Sequence, residues 1–151
     1  MSYEKKVKKD FEENINLEEI MRKIKELRKD NGFIKYMGIE YLECGPGTAK
    51  GRLRLDENIK NPFGGVHGGC IFSLADTIGG TAAMTRGNYV TTLSGSVEYL
   101  RPPKDTEFIY AEAEEIKNGR TISVYDVYIT NDDGKKLAKV TLSFFKLGTI
   151  Q

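Results

Sequence analysis

Between positions 67 and 86 the apolar residues Ile71, Phe72, Leu74, Ala75, Ile78, Ala82, Ala83 and Met84 spread around a helical wheel instead of along one stripe. Gly68, Gly69, Gly79 and Gly80 are interspersed among them. Such a helix has to be buried on nearly all sides, and its small residues let other backbones come close. At 151 residues the chain is large enough for one core and too short for two, so the remainder must wrap this helix. The wrapping is supplied by residues 91–100, 107–116, 121–130 and 136–145, read as four strands. Turn signals separate them at Arg101-Pro102-Pro103, Asn118-Gly119 and Asn131-Asp132-Asp133-Gly134. Short consecutive connections predict an antiparallel four-strand meander. Ahead of the helix, residues 34–55 alternate in places, most clearly over Gly51-Arg52-Leu53-Arg54-Leu55, with a turn at Gly45-Pro46-Gly47. The fold predicted is α+β, a curved antiparallel sheet of five or six strands around a central helix.

Residues 1–31 form an N-terminal extension ahead of a domain at 32–151. The first fifteen or so are polar and are expected to be loosely ordered. Leu17, Ile20, Met21, Ile24 and Leu27 then fall at helical spacing, Asn16 with Glu19 makes a capping box, and Gly32 supplies a stop. An extra amphipathic helix follows from that pattern. With 23 Lys+Arg against 22 Asp+Glu, the chain lacks the basic surface that nucleic-acid binding needs. No apolar run approaches the roughly 20 residues of a membrane span, and no signal peptide is visible, so a cytoplasmic protein with no membrane partner is expected. Cys44, Cys70 and the single histidine, His67, cannot make a typical structural zinc site, and both cysteines read as free thiols. No metal and no separate cofactor are expected.

Asp76 lies mid-helix among apolar neighbours, where a carboxylate costs several kcal/mol to bury unless it is paired or used. The preceding loop, Asn61-Pro62-Phe63-Gly64-Gly65-Val66-His67-Gly68-Gly69, runs directly into the helix start. Free N–H groups and the positive end of the helix dipole gather there, which suits a phosphate or a developing oxyanion. His67 and Asp76 are nine positions apart, roughly 13 Å of helical rise, so one subunit cannot bring both to one reacting carbon. Two copies with antiparallel central helices can, and a two-fold dimer would then hold two equal sites.

The run Asn61 to Asp76, N-P-F-G-G-V-H-G-G-C-I-F-S-L-A-D, resembles the N-x-x-G-x-x-H-G-G-x-x-x-x-x-x-D signature of hotdog-fold acyl-CoA thioesterases of the phenylacetic-acid-degradation (PaaI-like) type. The segment from Thr92 to Pro102 is similar to the family's next pattern, a Ser or Thr seven positions before an aromatic and then a proline. The resemblance spans about residues 32–147 and implies hydrolysis of a small acyl- or aryl-CoA to free acid and CoA. It implies that the Gly68 N–H meets the thioester oxygen, and that Asn61 and His67 position the carbonyl, the water or the leaving sulfur. Asp76 of the other subunit would be general base or nucleophile, with Thr92 holding it or the water. Ser94 is a second candidate hydroxyl on what the two-residue period makes the same strand face. Gly65, Val66 and Gly69 would border the substrate. Arg101, Lys104 and Arg120 are candidates for the CoA phosphates, and Phe72, Ile78 and Met84 for the acyl pocket. A homodimer, or a dimer of dimers, is the expected assembly.

Other readings fit the sequence less well. His-Gly-Gly also occurs in the oxyanion loop of α/β-hydrolases, but no G-x-S-x-G elbow is present and the only histidine is in the loop itself. A non-catalytic acyl-CoA sensor would leave Asp76 without a task, and residues 1–31 hold one helix, not a helix-turn-helix.

Overall fold

A computed structural model describes the backbone of residues 2–150 and the side chains of residues 2–6 and 17–150. Helix α1 spans Tyr3–Arg28, with the Ser2 hydroxyl accepting from the Lys5 N–H as its cap. It therefore begins well before the Leu17 start that the apolar spacing predicts. Residues 3–16 are rich in Lys and Glu and contain neither Gly nor Pro, so nothing in them breaks a helix. The backbone of Asn16 is inside α1, so no capping box starts there; its side chain lies outside the described residues. Ile20 and Ile24 are buried against Met84 and Ile150, which docks α1 on the end of the central helix. Burial of each isoleucine is worth about 1.5–3 kcal/mol.

Gly32 does not end that helix but opens a second one, α2 (Gly32–Met37). Asn31 caps it by accepting from the Ile34 N–H, and Gly38 closes it at φ +70°. The first four positions of the stretch read as strands are thus helical. The strands are β1 (Ile39–Gly45) and β2 (Thr48–Arg54), followed after a short 3-10 turn by the central helix α3 (Gly68–Met84). Then come β3 (Asn88–Tyr99), β4 (Phe108–Asn118), β5 (Ile122–Thr130) and β6 (Lys136–Thr149).

All neighbours in the six-stranded sheet are antiparallel, in the order β1-β2-β4-β5-β6-β3. The expected four-strand meander is corrected here: only β4, β5 and β6 form one, while β3 crosses to the far edge and pairs with β6. Pro102-Pro103 in the connection lock φ and restrict their predecessors to extended backbone, so the chain travels on instead of reversing. The sheet curls around α3, whose Leu74, Ala75, Ile78 and Ala82 have no solvent exposure. Two strand glycines make the fit possible. A Cβ on Gly51 would collide with Ile78 Cδ1, and one on Gly95 would stand 2.7 Å from Phe72 Cζ.

Candidate active site

Asp76 projects from α3 toward β3, where its Oδ1 accepts a 2.7 Å hydrogen bond from the Thr92 hydroxyl. It is half-buried, not sealed in, and lines a cleft of about 830 Å³ with Phe72, Met84, Val90 and Phe144 along the walls. The helical wheel missed this opening because Ser73, Asp76, Thr77 and Gly80 together face the cleft. Residues from the N-terminal helices, among them Arg28 and Phe33, close the cleft's other side. Of the predicted acyl-pocket residues Phe72 and Met84 are in place. Ile78 is not, being packed in the core against Gly51.

A bulge sets Thr92 and Ser94 apart. Thr92 pairs with Phe144 and Ser94 with the next residue back, Ser143, so Leu93 is the extra residue. One inserted residue flips the alternation, and the expectation that both hydroxyls share a face is wrong. Thr92 faces α3 and Ser94 faces away.

The other half of the predicted site is at the tip of α3. Asn61 Oδ1 accepts from the N–H groups of Phe63 (2.9 Å) and Gly65 (3.1 Å), and Gly64 completes the turn at φ +83°. The Asn61 carbonyl oxygen of the side chain is thereby committed to the loop, and its NH₂ has no hydrogen-bond partner among the described residues. His67 is the N-cap, its Nδ1 accepting from the Gly69 N–H at 2.9 Å. A ring whose Nδ1 accepts has its proton on Nε2, so exposed His67 presents a donor. The Gly68 N–H, first of the helix, has no partner among the described residues.

Tyr99, which the sequence reading did not single out, donates from its hydroxyl to the Gly68 carbonyl at 2.8 Å and pins the tip of α3 to the end of β3. Its signal was the aromatic position of the second motif. Around the tip a cleft of about 380 Å³ is lined by Asn61, Gly65, Val66, Gly68, Tyr99 and Arg101. Lys104 and Arg120 line neither cleft, Arg120 being in the β4–β5 turn. Cys70, two residues into α3, has its thiol pushed above the ordinary value by burial and then by Asp56, which makes it a poor nucleophile.

Within one protomer the two clefts are separate, because Gly68 and Asp76 are eight positions apart on one helix, roughly 12 Å of rise. The structure thus holds a carboxylate oriented by a hydroxyl, and elsewhere a free amide at a helix N-terminus flanked by Asn and His donors. That pairing suits acyl transfer to water.

Residues 63–138 match the thioesterase superfamily. The chain belongs to it. A putative esterase from Haemophilus influenzae is 30% identical over 122 residues, covering 78% of this chain and 88% of that protein. The acyl-coenzyme A thioesterase PaaI of Escherichia coli is 29% identical over 104 residues, 69% of this chain and 74% of that one. The solved structure of the E. coli PaaI protein from the phenylacetic acid degradation operon superposes with a TM-score of 0.81 at 25% identity, covering 87% and 96% of the two chains. A hypothetical thioesterase from Streptococcus pneumoniae, solved with coenzyme A, gives 0.76 at 30% identity over 82% and 99%. That protein has also been solved with an Asp, and separately a Thr sixteen positions later, replaced by Ala. This thioesterase has the PaaI-like hotdog fold expected from the motifs, with α1, α2, β1 and β2 outside the stretch matched to the superfamily.

Proposed function

We propose that the chain hydrolyses acyl-CoA thioesters at sites shared between two copies, each site joining Asp76 and Thr92 of one to the α3 tip of the other. The observation that supports this reading is the Asp76–Thr92 pair opening on a cleft beside an unpaired strand edge, with the free Gly68 amide too far away in the same protomer. β3 ends the sheet, so twelve residues of edge are open to a second β3. Antiparallel pairing there about a two-fold axis sets the two α3 helices antiparallel, tip beside middle. The same Asp-to-Thr spacing in the pneumococcal relative supports the assignment of Thr92.

In the reaction the thioester oxygen accepts from the partner subunit's Gly68, whose amide strengthens its bond as negative charge develops. Water adds to the carbonyl carbon while Asp76 takes its proton, the C–S bond breaks, and CoA leaves as the thiol with the free acid as second product. Direct attack by Asp76, followed by hydrolysis of the anhydride, satisfies the same geometry. Thr92 donates to Asp76 Oδ1 and leaves Oδ2 for the reaction. Arg101, beside the helix tip, meets CoA phosphate oxygens; Lys104 and Arg120 would act only from outside the two clefts. A sensor would leave the oriented carboxylate idle.

Thiol release from a panel of acyl-CoAs tests the reading. Asp76→Asn should lower kcat by roughly 10²–10⁴-fold with the oligomer intact. Gly68→Pro removes the N–H at a helix position that tolerates proline. Mixing Asp76→Ala chains with Gly68→Pro chains should then recover part of the activity in hetero-oligomers. Unchanged turnover in Asp76→Asn removes Asp76 from the mechanism, and no recovery in verified hetero-oligomers removes the shared site.

A further inference from the structure

We propose that Arg28 is a second recognition group in the Asp76 cleft and that it reads an acyl chain ending in a carboxylate. The proposal deepens the hydrolase reading above and rests on it. Arg28 is the last residue of α1, outside the stretch matched to the thioesterase superfamily, yet its half-buried side chain lines the same cleft as Asp76.

The guanidinium lies over the Tyr41 ring, 5.1 Å from its centroid, and one nitrogen makes all its hydrogen bonds among the described residues. Nη1 donates to the Tyr41 hydroxyl (2.7 Å), to the Thr77 carbonyl (3.5 Å) and to the Thr81 hydroxyl. Each acceptor is neutral, and burial raises Tyr41 above its ordinary value, so the phenol does not ionise to offset the guanidinium. Nε and Nη2 have no partner among the described residues. These two donors form the parallel edge that fits a carboxylate in bidentate fashion. Nη2 is 3.9 Å from where a Cβ of Gly80 would stand, and Gly80 lines the cleft.

Two nearby acids are engaged elsewhere, Glu26 with Lys29 (3.3 Å) and Asp30 with Lys35 (3.6 Å). Asp76, the one acid lining the cleft, accepts from Thr92 and makes no hydrogen bond to Arg28 among the described residues. A partly desolvated cation with only neutral acceptors therefore faces the cleft, an arrangement that favours an incoming anion.

Gly80 follows Asp76 by one helical turn on the same face, roughly 6 Å along the axis. An extended chain advances roughly 1.25 Å per bond, so about five carbon–carbon bonds join a thioester carbon at Asp76 to a carboxylate carbon at Arg28. Phe72, Met84, Val90 and Phe144 give the intervening methylenes an apolar wall. The charges then alternate, Asp76 negative, Arg28 positive and the substrate terminus negative. An adipyl-type CoA thioester fits that spacing.

The experiment compares adipyl-CoA with hexanoyl-CoA, which differ at the terminus alone. In the wild-type protein kcat/KM for adipyl-CoA should exceed that for hexanoyl-CoA by about 10–100-fold, chiefly through KM. Arg28→Met should bring the ratio to one or below, and Arg28→Lys, which keeps the charge without the fork, should give an intermediate value. A residue that merely tethers α1 to α3 would lower both rates together and leave the ratio unchanged, which overturns the proposal. The wild-type ratio needs no variant to fold: hexanoyl-CoA cleaved as well as adipyl-CoA removes the carboxylate subsite and leaves the hydrolase standing. Turnover of neither thioester while other acyl-CoAs are cleaved likewise removes the subsite alone, and no turnover across the whole acyl-CoA panel removes the hydrolase reading and this one with it.

Discussion

The two edges of the sheet are built differently. β1 is seven residues long, with Glu40 and Glu43 held by Arg52 and Lys50 of β2 and a bulge at Leu42. β3 is twelve residues long with Glu98 its one charged side chain, and Leu93 and Tyr99 on it are more than half exposed. Charge, shortness and bulging are the means by which an edge strand is kept from pairing with another chain. β1 has all of them, whereas β3 relies on bulges alone and places Thr92, from inside one bulge, on Asp76. In the shared-site proposal the guarded edge only has to stay folded, and the open edge is where a second copy would pair.

The largest effect should come from guarding the open edge. Lysines at Leu93 and Ser96 together should reduce the oligomer to a 17.0 kDa monomer in sedimentation and lower thiol release by roughly 10²–10³-fold, the cost of losing an oxyanion donor. Leu42→Lys on β1, a comparably exposed leucine, should leave mass and turnover unchanged. If both edges tolerate lysine, the contrast between them has no functional content. Next in size is the bulge. Thr92→Ala deletes the hydrogen bond to Asp76 Oδ1 and should lower kcat by about 10–100-fold, while Ser94→Ala on the opposite face should stay within about two-fold. Equal effects of the two would return the supporting hydroxyl to an open question.

Much of this was legible in the sequence, and the exceptions share a cause. The all-round apolar helix, the strand positions and the glycine loop are local patterns, and each appears within a few residues of its expected place. The position of β3 depends on which edge of the sheet is left after β4, β5 and β6 have paired, which no window of residues records. The bulge at Leu93 adds one residue to a two-residue period without changing composition. Asp76 was expected among apolar neighbours at every angle, but the small and polar Ser73, Thr77 and Gly80 leave an opening that a count of hydrophobic residues passes over. Arg28 ends a helix whose sequence shows only an amphipathic stripe, and its place beside Asp76 is tertiary from start to finish.

The smallest effect belongs to the guarded half and concerns stability, not turnover. Arg86, just past the end of α3, donates to Glu115 on β4 from Nε (2.8 Å) and Nη2 (3.1 Å), and the buried Tyr125 hydroxyl of β5 adds a third bond at 3.1 Å. The arginine, more than any other group, holds the Glu115 carboxyl below its ordinary value of 4.5. A depressed carboxyl stabilises the folded state fully above that ordinary value, and the contribution fades as pH falls through the folded-state value. Tyr125 is shifted the other way, upward, first by burial and then by the Glu115 charge, so its contribution is present below its ordinary value of 10.0 and fades in strong alkali. Glu115→Gln should therefore cost up to about 1 kcal/mol near neutrality, read as a melting temperature lower by about 2–4 °C. Wild type and variant should begin to approach one another as pH falls below 4.5 and converge once it has passed the lower folded-state value, where the carboxyl gains its proton. Turnover of hexanoyl-CoA at neutral pH should not move, because none of these three groups touches either cleft. A loss of activity without a loss of stability would mean that the guarded half reaches the site after all, and the division between the two edges would have to be redrawn.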